Sequence, residues 1–232
     1  MARVISKMGL ASRTAAAAWV RAGRVQVNGC AVLDPEFPVY QGVDRVTIDG
    51  AAADAAVRVV LMLNKPRGLV TTASDEKGRA TVYQCLEGAG LPWLAPIGRL
   101  DKASEGLLLF SNDPAWAARV SDPSTGPEKT YHVQIDQQPT ARLLRQLEQG
   151  VEIDGERLRA RVARTLRTGA RHAWLEIVLD EGRNRQIRRL LEACGVAVLR
   201  LVRVRIGSLA LGGLPKGKWR ELSEREILGL NA

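Results

Sequence analysis

The hydrophobic pattern of the chain switches repeatedly between the helical and the strand period, and each switch marks an element. Residues 13–22 read as a helix, with Ser12 as its N-cap and Gly23 as its stop. Arg24-Val25-Gln26-Val27-Asn28-Gly29 then alternates as a short strand closed by an Asn-Gly turn, and residues 44–48 form a second strand closed by Asp49-Gly50. The alanine-rich stretch that follows has little to pack with and reads as a linker. Beyond it, 59–63 and 107–110 are continuous apolar runs, the pattern of strands buried on both faces. In 130–135 Tyr131, Val133 and Ile135 share one face while His132 and Gln134 share the other. Residues 139–149 read as a helix with Leu143, Leu144 and Leu147 inward, and 157–167 and 172–179 as strands. Ile187, Leu190, Leu191 and Cys194 form the apolar stripe of a helix that opens near Arg183 and stops at Gly195. In 202–206 Arg203 and Arg205 alternate with a core face. The sum is an α+β pattern with largely antiparallel pairing rather than regular βαβ winding.

Composition bounds the function. The 232 residues carry 34 Lys+Arg against 25 Asp+Glu, a net charge of +9, with 46% hydrophobic and 25% charged residues, which fits one or two ordinary globular domains. No run approaches the roughly 18 apolar residues of a membrane helix, and the first residues lack the apolar core of a signal peptide. Cys30, Cys85 and Cys194 are far apart and odd in number, which argues against a disulfide framework or a zinc site and for a reducing cytoplasm. The positive charge sits in blocks. Residues 1–33 hold Arg3, Lys7, Arg13, Arg21 and Arg24 with no acid, residues 34–56 hold five acids against Arg45, and residues 183–205 hold seven arginines against Glu192. Two basic blocks on separate parts of a chain suit a polyanion such as a nucleic-acid backbone.

Several candidate chemistries fail on their mechanics. The glycines and lysines of 212–218 have the spacing of a P-loop, but Trp219 stands where a magnesium-binding hydroxyl is needed. His132 and His172 are the only histidines and neither has a second ligand three or four residues away, so neither a metal site nor a Ser-His-Asp triad is expected. A glycosidase using Asp101 would need a second carboxylate about 5–9.5 Å away, and Glu105 has no pattern that places it so. What remains is Gly98-Arg99-Leu100-Asp101-Lys102-Ala103-Ser104-Glu105-Gly106, an aspartate in a glycine-bounded loop just before a buried strand, positioned to project into a cleft from a rigid element.

That loop resembles the signature loop of the RsuA/RluB-type pseudouridine synthases of ribosomal RNA. Asn64-Lys65-Pro66-Arg67-Gly68 is similar to the family's Asn-Lys-Pro-x-Gly, Glu128-Lys129-Thr130-Tyr131 to its Lys-x-Tyr, and the run from Glu181 to Arg189 to its arginine-rich helix start. Residues 2–50, through Gly9-Leu10-Ala11-Ser12-Arg13 and the strand after it, resemble the alpha-L RNA-binding domain. The departures are Ser104 where threonine is usual and Phe110-Ser111-Asn112-Asp113 in place of a more apolar ending. The resemblance implies an alpha-L RNA-binding domain at 1–50, a linker at 51–57 and a mixed, mainly antiparallel catalytic domain at 58–232. It implies isomerisation of a uridine in ribosomal RNA, the large subunit slightly favoured, with no cofactor and no metal.

By the same resemblance Asp101 is the essential carboxylate, Arg188 its partner, and Tyr131 the residue set against the target base. Burial raises a carboxylate's pKa and a guanidinium within about 4–6 Å lowers it, which is why such a partner is needed. Lys7, Arg13, Arg21 and Arg24 fall on the first domain's RNA face, and Lys65, Arg67, Arg99, Lys129, Arg183, Arg185 and Arg189 join the expected RNA contacts. The expected partner is ribosomal RNA or a pre-ribosomal subunit, met by a cytoplasmic monomer that does not touch a membrane. The competing reading is a non-catalytic RNA-binding assembly or stress factor on the same fold, which has no need to keep Asp101, Tyr131 and Arg188 together.

Overall fold

A computed structural model of the chain describes residues 1–40 and 42–230. Its residues cluster into two compact units, one of Met1–Val60 with Gly88–Ala95 and Phe110–Ala117, the other of Leu61–Glu87, Pro96–Leu109 and Ala118–Ala232.

The first unit opens with α1 (Ala2–Lys7) and α2 (Arg13–Arg21). The Ser12 hydroxyl accepts from the amide of Ala15 at 3.0 Å, satisfying one of the orphan donors at the start of α2. A four-stranded sheet follows in the order β2-β1-β3-β4, from β1 (Val25–Val27), β2 (Cys30–Ala31), β3 (Val46–Ile48) and β4 (Ala51–Ala52). The Asn28-Gly29 turn has φ of 52° and 84°, the left-handed pair that a two-residue hairpin requires and that this dipeptide adopts cheaply. Ile5, Ala16, Val20, Val25 and Val27 are buried together as the core. The alanine-rich stretch expected to be a linker differs: Ala51 and Ala52 pair with Ile48 and Thr47, because Asp49-Gly50 makes a second tight hairpin that returns the chain along β3. Asn112 belongs to this unit as well. Its side chain donates to the Val57 carbonyl and accepts from the Val59 amide, both at 2.8 Å.

The remaining elements are β5 (Val60–Lys65), β6 (Ala95–Ile97), β7 (Glu105–Ser111), α3 (Pro114–Ser121), β8 (Lys129–Ile135), α4 (Ala141–Gln149), β9 (Val151–Ile153), β10 (Glu156–Leu158), β11 (Val162–Thr168), β12 (Ala173–Leu179), α5 (Gln186–Ala193), β13 (Val198–Ile206), β14 (Leu209–Ala210), β15 (Trp219–Glu221) and α6 (Glu224–Gly229). A nine-stranded sheet runs β11-β12-β8-β13-β7-β5-β15, with β14 on β13 and β6 on β7. The β11–β12, β12–β8, β8–β13 and β15–β5 pairs are antiparallel, whereas β13–β7 is parallel. This is the α+β, mainly antiparallel architecture the pattern predicts. Val133, Ile135, Leu175 and Ile177 from the sheet pack with Leu143 and Leu147 of α4 and Ile187, Leu190 and Leu191 of α5. Each such side chain contributes about 1.5–3 kcal/mol on leaving water, so α4 and α5 are held on the sheet mainly by these stripes.

Two strand expectations are corrected. Residues 157–167 are not one strand: β10 ends at Leu158, and Ala160 donates its amide to Leu147 at the end of α4, turning the chain before β11. In β13 the arginines do not share an outer face. The pairing slips between Arg203 and Arg205, and this irregularity leaves Arg203 buried with Leu201 and Ile206 while Arg205 is exposed.

β7 and β13 approach closely at Gly106, which has φ of 101° and pairs with Arg203. A β-carbon there would lie 2.2 Å from the Arg203 carbonyl oxygen. Gly106→Ala is therefore expected to cost at least about 2 kcal/mol and to lower the thermal transition by roughly 4–8 °C. An unchanged transition would contradict this strand contact.

Candidate active site

The loop before β7 owes its shape to groups beneath it. Lys65 ends β5 with 0% exposure, and its ammonium donates to the carbonyls of Ser104 at 2.8 Å and of Asp101 and Pro66 at 3.1 Å. The Thr71 hydroxyl donates to the Leu100 carbonyl at 2.7 Å, and the Gly68 amide donates to the Lys102 carbonyl at 2.7 Å. The Ser104 amide closes the turn on the Asp101 carbonyl at 2.9 Å. Backbone on both sides of Asp101 is thus fixed, and its carboxylate is left to face outward. The Asn-Lys-Pro-Arg-Gly motif is the clamp: Lys65 holds the loop from below and Gly68 holds it from the side.

Asn64 works in the other direction. Its side chain donates to the Leu214 carbonyl at 2.7 Å, and its backbone pairs with Lys218 and Gly217. The glycine-lysine segment that imitates a P-loop is pinned there as the turn leading into β15. Its Lys216 reaches Glu105, a buried carboxylate that also takes a two-pronged contact from Arg200 at 3.0 Å. Burial pushes the Glu105 carboxyl upward, but the hydrogen bonds from Arg200 and Lys216 overcome it and hold the group below its ordinary value.

Asp101, Tyr131 and Arg188 line one cleft of about 200 Å³ together with Arg99, Lys129, Arg183 and Arg185. The expected triplet is therefore brought together, with one correction to its wiring. The guanidinium on the Asp101 carboxylate is that of Arg185, at 3.3 Å, and not that of Arg188. Arg185 stands at the N-cap of α5 with φ of 49°, and this left-handed turn directs the chain across the loop. Arg188, one turn further on, donates to the carbonyls of Ala103 at 3.3 Å and Val198 at 3.4 Å, so it braces the loop rather than the carboxylate. Burial leads the causes that lower its pKa, followed by Arg185, against an upward pull from Asp101. Tyr131 is half-buried on the face of β8 that it shares with Val133 and Ile135.

The basic residues separate into classes that charge counting alone could not distinguish. Lys65 is a buried tether and is not available to RNA, which corrects its assignment. Arg183 pairs with Glu156 and Glu181, and Arg189 with Glu156 and Asp154, so both are partly neutralised within the protein. Arg67 and Arg99 are exposed and make no ion pair among the described residues. Burial and the neighbouring Arg203 hold Lys129 below the usual lysine value. In the first unit, Arg24 grips Asp49 and lies 5.2 Å from the centre of the Trp19 ring, and Arg13 contacts Glu36 at 3.4 Å. Lys7 and Arg21 are exposed. Sequence reasoning missed Arg203, which also lines the cleft; the slip in β13 that buries it has no local mark.

A carboxylate beside an inward tyrosine in a cleft lined by cations suits chemistry on an anionic partner. The family pattern described as RNA pseudouridylate synthase matches residues 59–193, and that described as S4 domain matches residues 2–43. The chain belongs to the RNA pseudouridylate synthase family, and it is an RNA pseudouridine synthase carrying an S4 domain. It is 35% identical over 233 residues to the ribosomal large subunit pseudouridine synthase B of Bacillus subtilis (strain 168), covering 99% of this chain and 94% of that protein. It is 36% identical over 244 residues to the protein of the same name from Haemophilus influenzae, covering 99% of this chain and 68% of that one. A solved structure described as a crystal structure of pseudouridylate synthase superposes with a TM-score of 0.67 at 29% identity, covering 99% and 98% of the two chains. Among the described residues no helix is long and apolar enough to cross a membrane.

The tether has a measurable consequence. Burial lowers the Lys65 ammonium to about 8, against upward pulls from Asp101 and Glu105. Between pH 8 and the free-lysine value of about 10.4 the unfolded chain holds a proton that the folded one has released, so the stabilisation grows with pH across that window. Measured by urea unfolding at pH 7 and pH 10, the stability of the wild type relative to Lys65→Met is expected to rise by up to about 3 kcal/mol. A pH-independent difference would contradict a buried ammonium under the loop.

Proposed function

We propose that this enzyme isomerises a specific uridine of ribosomal RNA, with the large subunit favoured, using the Asp101 carboxylate and no cofactor. The observation that carries the reading is the clamped loop: Lys65, Thr71 and Gly68 fix the backbone around Asp101 while its carboxylate faces a cleft shared with Tyr131. The relatives named for the large ribosomal subunit, similar over nearly the whole chain, support the choice of RNA.

The conversion rearranges one molecule. The C1′–N1 bond breaks, C1′ joins C5, a proton leaves C5, and N1 gains one. Nothing is oxidised or reduced and no group is imported, so the balance calls for no cofactor. The ionised Asp101 carboxylate acts as a nucleophile, on the sugar or on the base, or removes a sugar proton. Arg185 orients it from 3.3 Å, and Arg188 keeps the loop carbonyl of Ala103 in place. The Tyr131 ring stacks on the base and its hydroxyl assists the removal of the proton from C5. The uridine reaches the cleft only by leaving its own stack. Phosphates on either side meet the cations at and beside the rim, among which Arg67 and Arg99 have no ion pair to give up among the described residues. Lys7, Arg13, Arg21 and Arg24 of the S4 domain supply the second patch. The working unit is a cytoplasmic monomer acting on ribosomal RNA or a pre-ribosomal subunit.

The deciding experiment is a pseudouridine map of ribosomal RNA from cells with and without the gene, read by carbodiimide-blocked primer extension. One position should lose its mark, regain it with the wild type, and fail to regain it with Asp101→Asn. The variant's RNA affinity should stay within about tenfold, because phosphate contacts supply most of the binding. An identical map in both strains, with RNA binding intact, would transfer the reading to a non-catalytic RNA-binding factor. The rim assignment has its own check. Arg67→Ala and Arg99→Ala should each weaken binding and lower the slope of log K against log salt by about one, and an unchanged slope removes that residue from the RNA face.

A further inference from the structure

Arg203 is a cleft residue whose chemistry the preceding reading leaves unused. It is 5% exposed, on β13 beside Tyr131 of β8, with which it is paired across the two strands. Its Nε donates to the Leu107 carbonyl at 2.7 Å. Its Nη2 is buried and has no hydrogen-bond partner, and no carboxylate makes an ion pair with it among the described residues. Lys129, two residues before Tyr131, lines the same cleft, and the two cations lie close enough for Arg203 to depress the lysine's pKa.

A buried guanidinium donor without an acceptor is costly, and in a cleft a bound ligand is one group that can complete it. This one is also rigid. The contact of Gly106 with its backbone and the hydrogen bond to Leu107 leave the guanidinium little freedom, as a preorganised donor requires. The cleft is smaller than the roughly 300–1,000 Å³ of a drug-sized site, so its floor suits a single inserted ring. Phosphates meet exposed cations such as Arg99 and Arg185 first, whereas only the base travels in as far as a residue this buried.

We propose that the Nη2 of Arg203 donates a hydrogen bond to a carbonyl oxygen of the target uracil and that this bond strengthens as the glycosidic bond breaks. The inference rests on the uridine-isomerase reading above. When C1′–N1 breaks, the bonding electron pair leaves with the base and spreads from N1 onto O2 and O4. A fixed guanidinium within reach of one of those oxygens stabilises that charge more than it stabilises neutral uridine, which is what accelerates a step. Arg203 thereby holds the detached base in the cleft while it turns to present C5.

The test is single-turnover conversion of a synthetic stem-loop carrying the uridine identified by the map, with uridine, 2-thiouridine or 4-thiouridine at the target. Sulfur accepts hydrogen bonds poorly, and comparing enzymes across the three RNAs removes the intrinsic reactivity of each base. Arg203→Lys is expected to slow uridine by about tenfold to a hundredfold, in line with the loss of one transition-state donor. Its Kd should remain within a few-fold of the wild type. Sulfur at one of the two positions should slow the wild type, and that penalty should shrink in Arg203→Lys and Arg203→Met. Circular dichroism and the unfolding transition report whether each variant is folded. A folded variant at the wild-type rate, or one slowed with its sulfur penalty unchanged, overturns the proposal and leaves the isomerase reading intact. A weaker Kd with a flatter salt slope, and no change in the sulfur penalty, would assign Arg203 to a phosphate and overturn it as well. Were neither variant to fold, the wild type alone decides: indifference to sulfur at both positions overturns the proposal. A wild type that converts no uridine in any RNA refutes the isomerase reading itself.

Discussion

The ammonium of Lys65 is where the architecture of the site is decided. It sits at the end of a strand buried on every side and gathers three backbone carbonyls, two of them from the loop that carries Asp101. Loops of this kind are ordinarily the most mobile parts of a fold. Here a single cation turns the loop's own polar backbone inward and satisfies it, so that the Asp101 carboxylate is left projecting. The cost is the desolvation of a lysine, visible in a pKa brought down to about 8. A neutral residue in that place would spare the desolvation and leave three buried carbonyls unmet, which is the worse alternative.

A second buried charge secures the far end of the loop, where β7 begins. Glu105 follows the loop directly and is held by Arg200 from β13 and Lys216 from the turn before β15. Through Asn64 that turn is also tied to β5. The loop is therefore bounded on one side by a buried cation and on the other by a buried anion, each satisfied by groups distant in sequence. Both fix where Asp101 can be, and on the proposed reading a carboxylate so held avoids reorganisation at the moment of reaction.

What the sequence disclosed and what it hid divide along the same line. The Ser12 cap, the Asn28-Gly29 hairpin and the stripes of α4 and α5 are local facts, decided by residues within a few positions of one another, and the structure agrees with them. Asp101, Tyr131 and the arginine-rich helix start were legible through motifs, and they converge on one cleft. Burial was not legible. Lys65 and Arg203 read as surface cations because only the pairing of distant strands encloses them, and the slip in β13 reverses the simple alternation that would have put Arg203 outside. Arg185 and Arg188 differ by three positions, and which one meets Asp101 depends on the left-handed residue opening α5. That choice is made by backbone geometry, not by residue type.

On the proposed reading the arginines in and around the cleft divide the work by depth. Those at the rim differ in what they must surrender to bind a phosphate. Arg67 and Arg99 make no ion pair among the described residues, whereas Arg183 and Arg189 must exchange contacts with Glu156, Glu181 or Asp154. Exposed ion pairs are worth about 0–1 kcal/mol, so the exchange is nearly neutral, and it releases the acids to repel any phosphate placed wrongly. At the floor the rule inverts. The Nη2 of Arg203 has no hydrogen-bond partner among the described residues and is screened from water, so an acceptor brought to it gains nearly the full strength of a hydrogen bond in a low-dielectric site. On the proposed reading, charge at the rim gathers RNA with little regard to sequence, while charge at the floor acts only on a base that has left its stack.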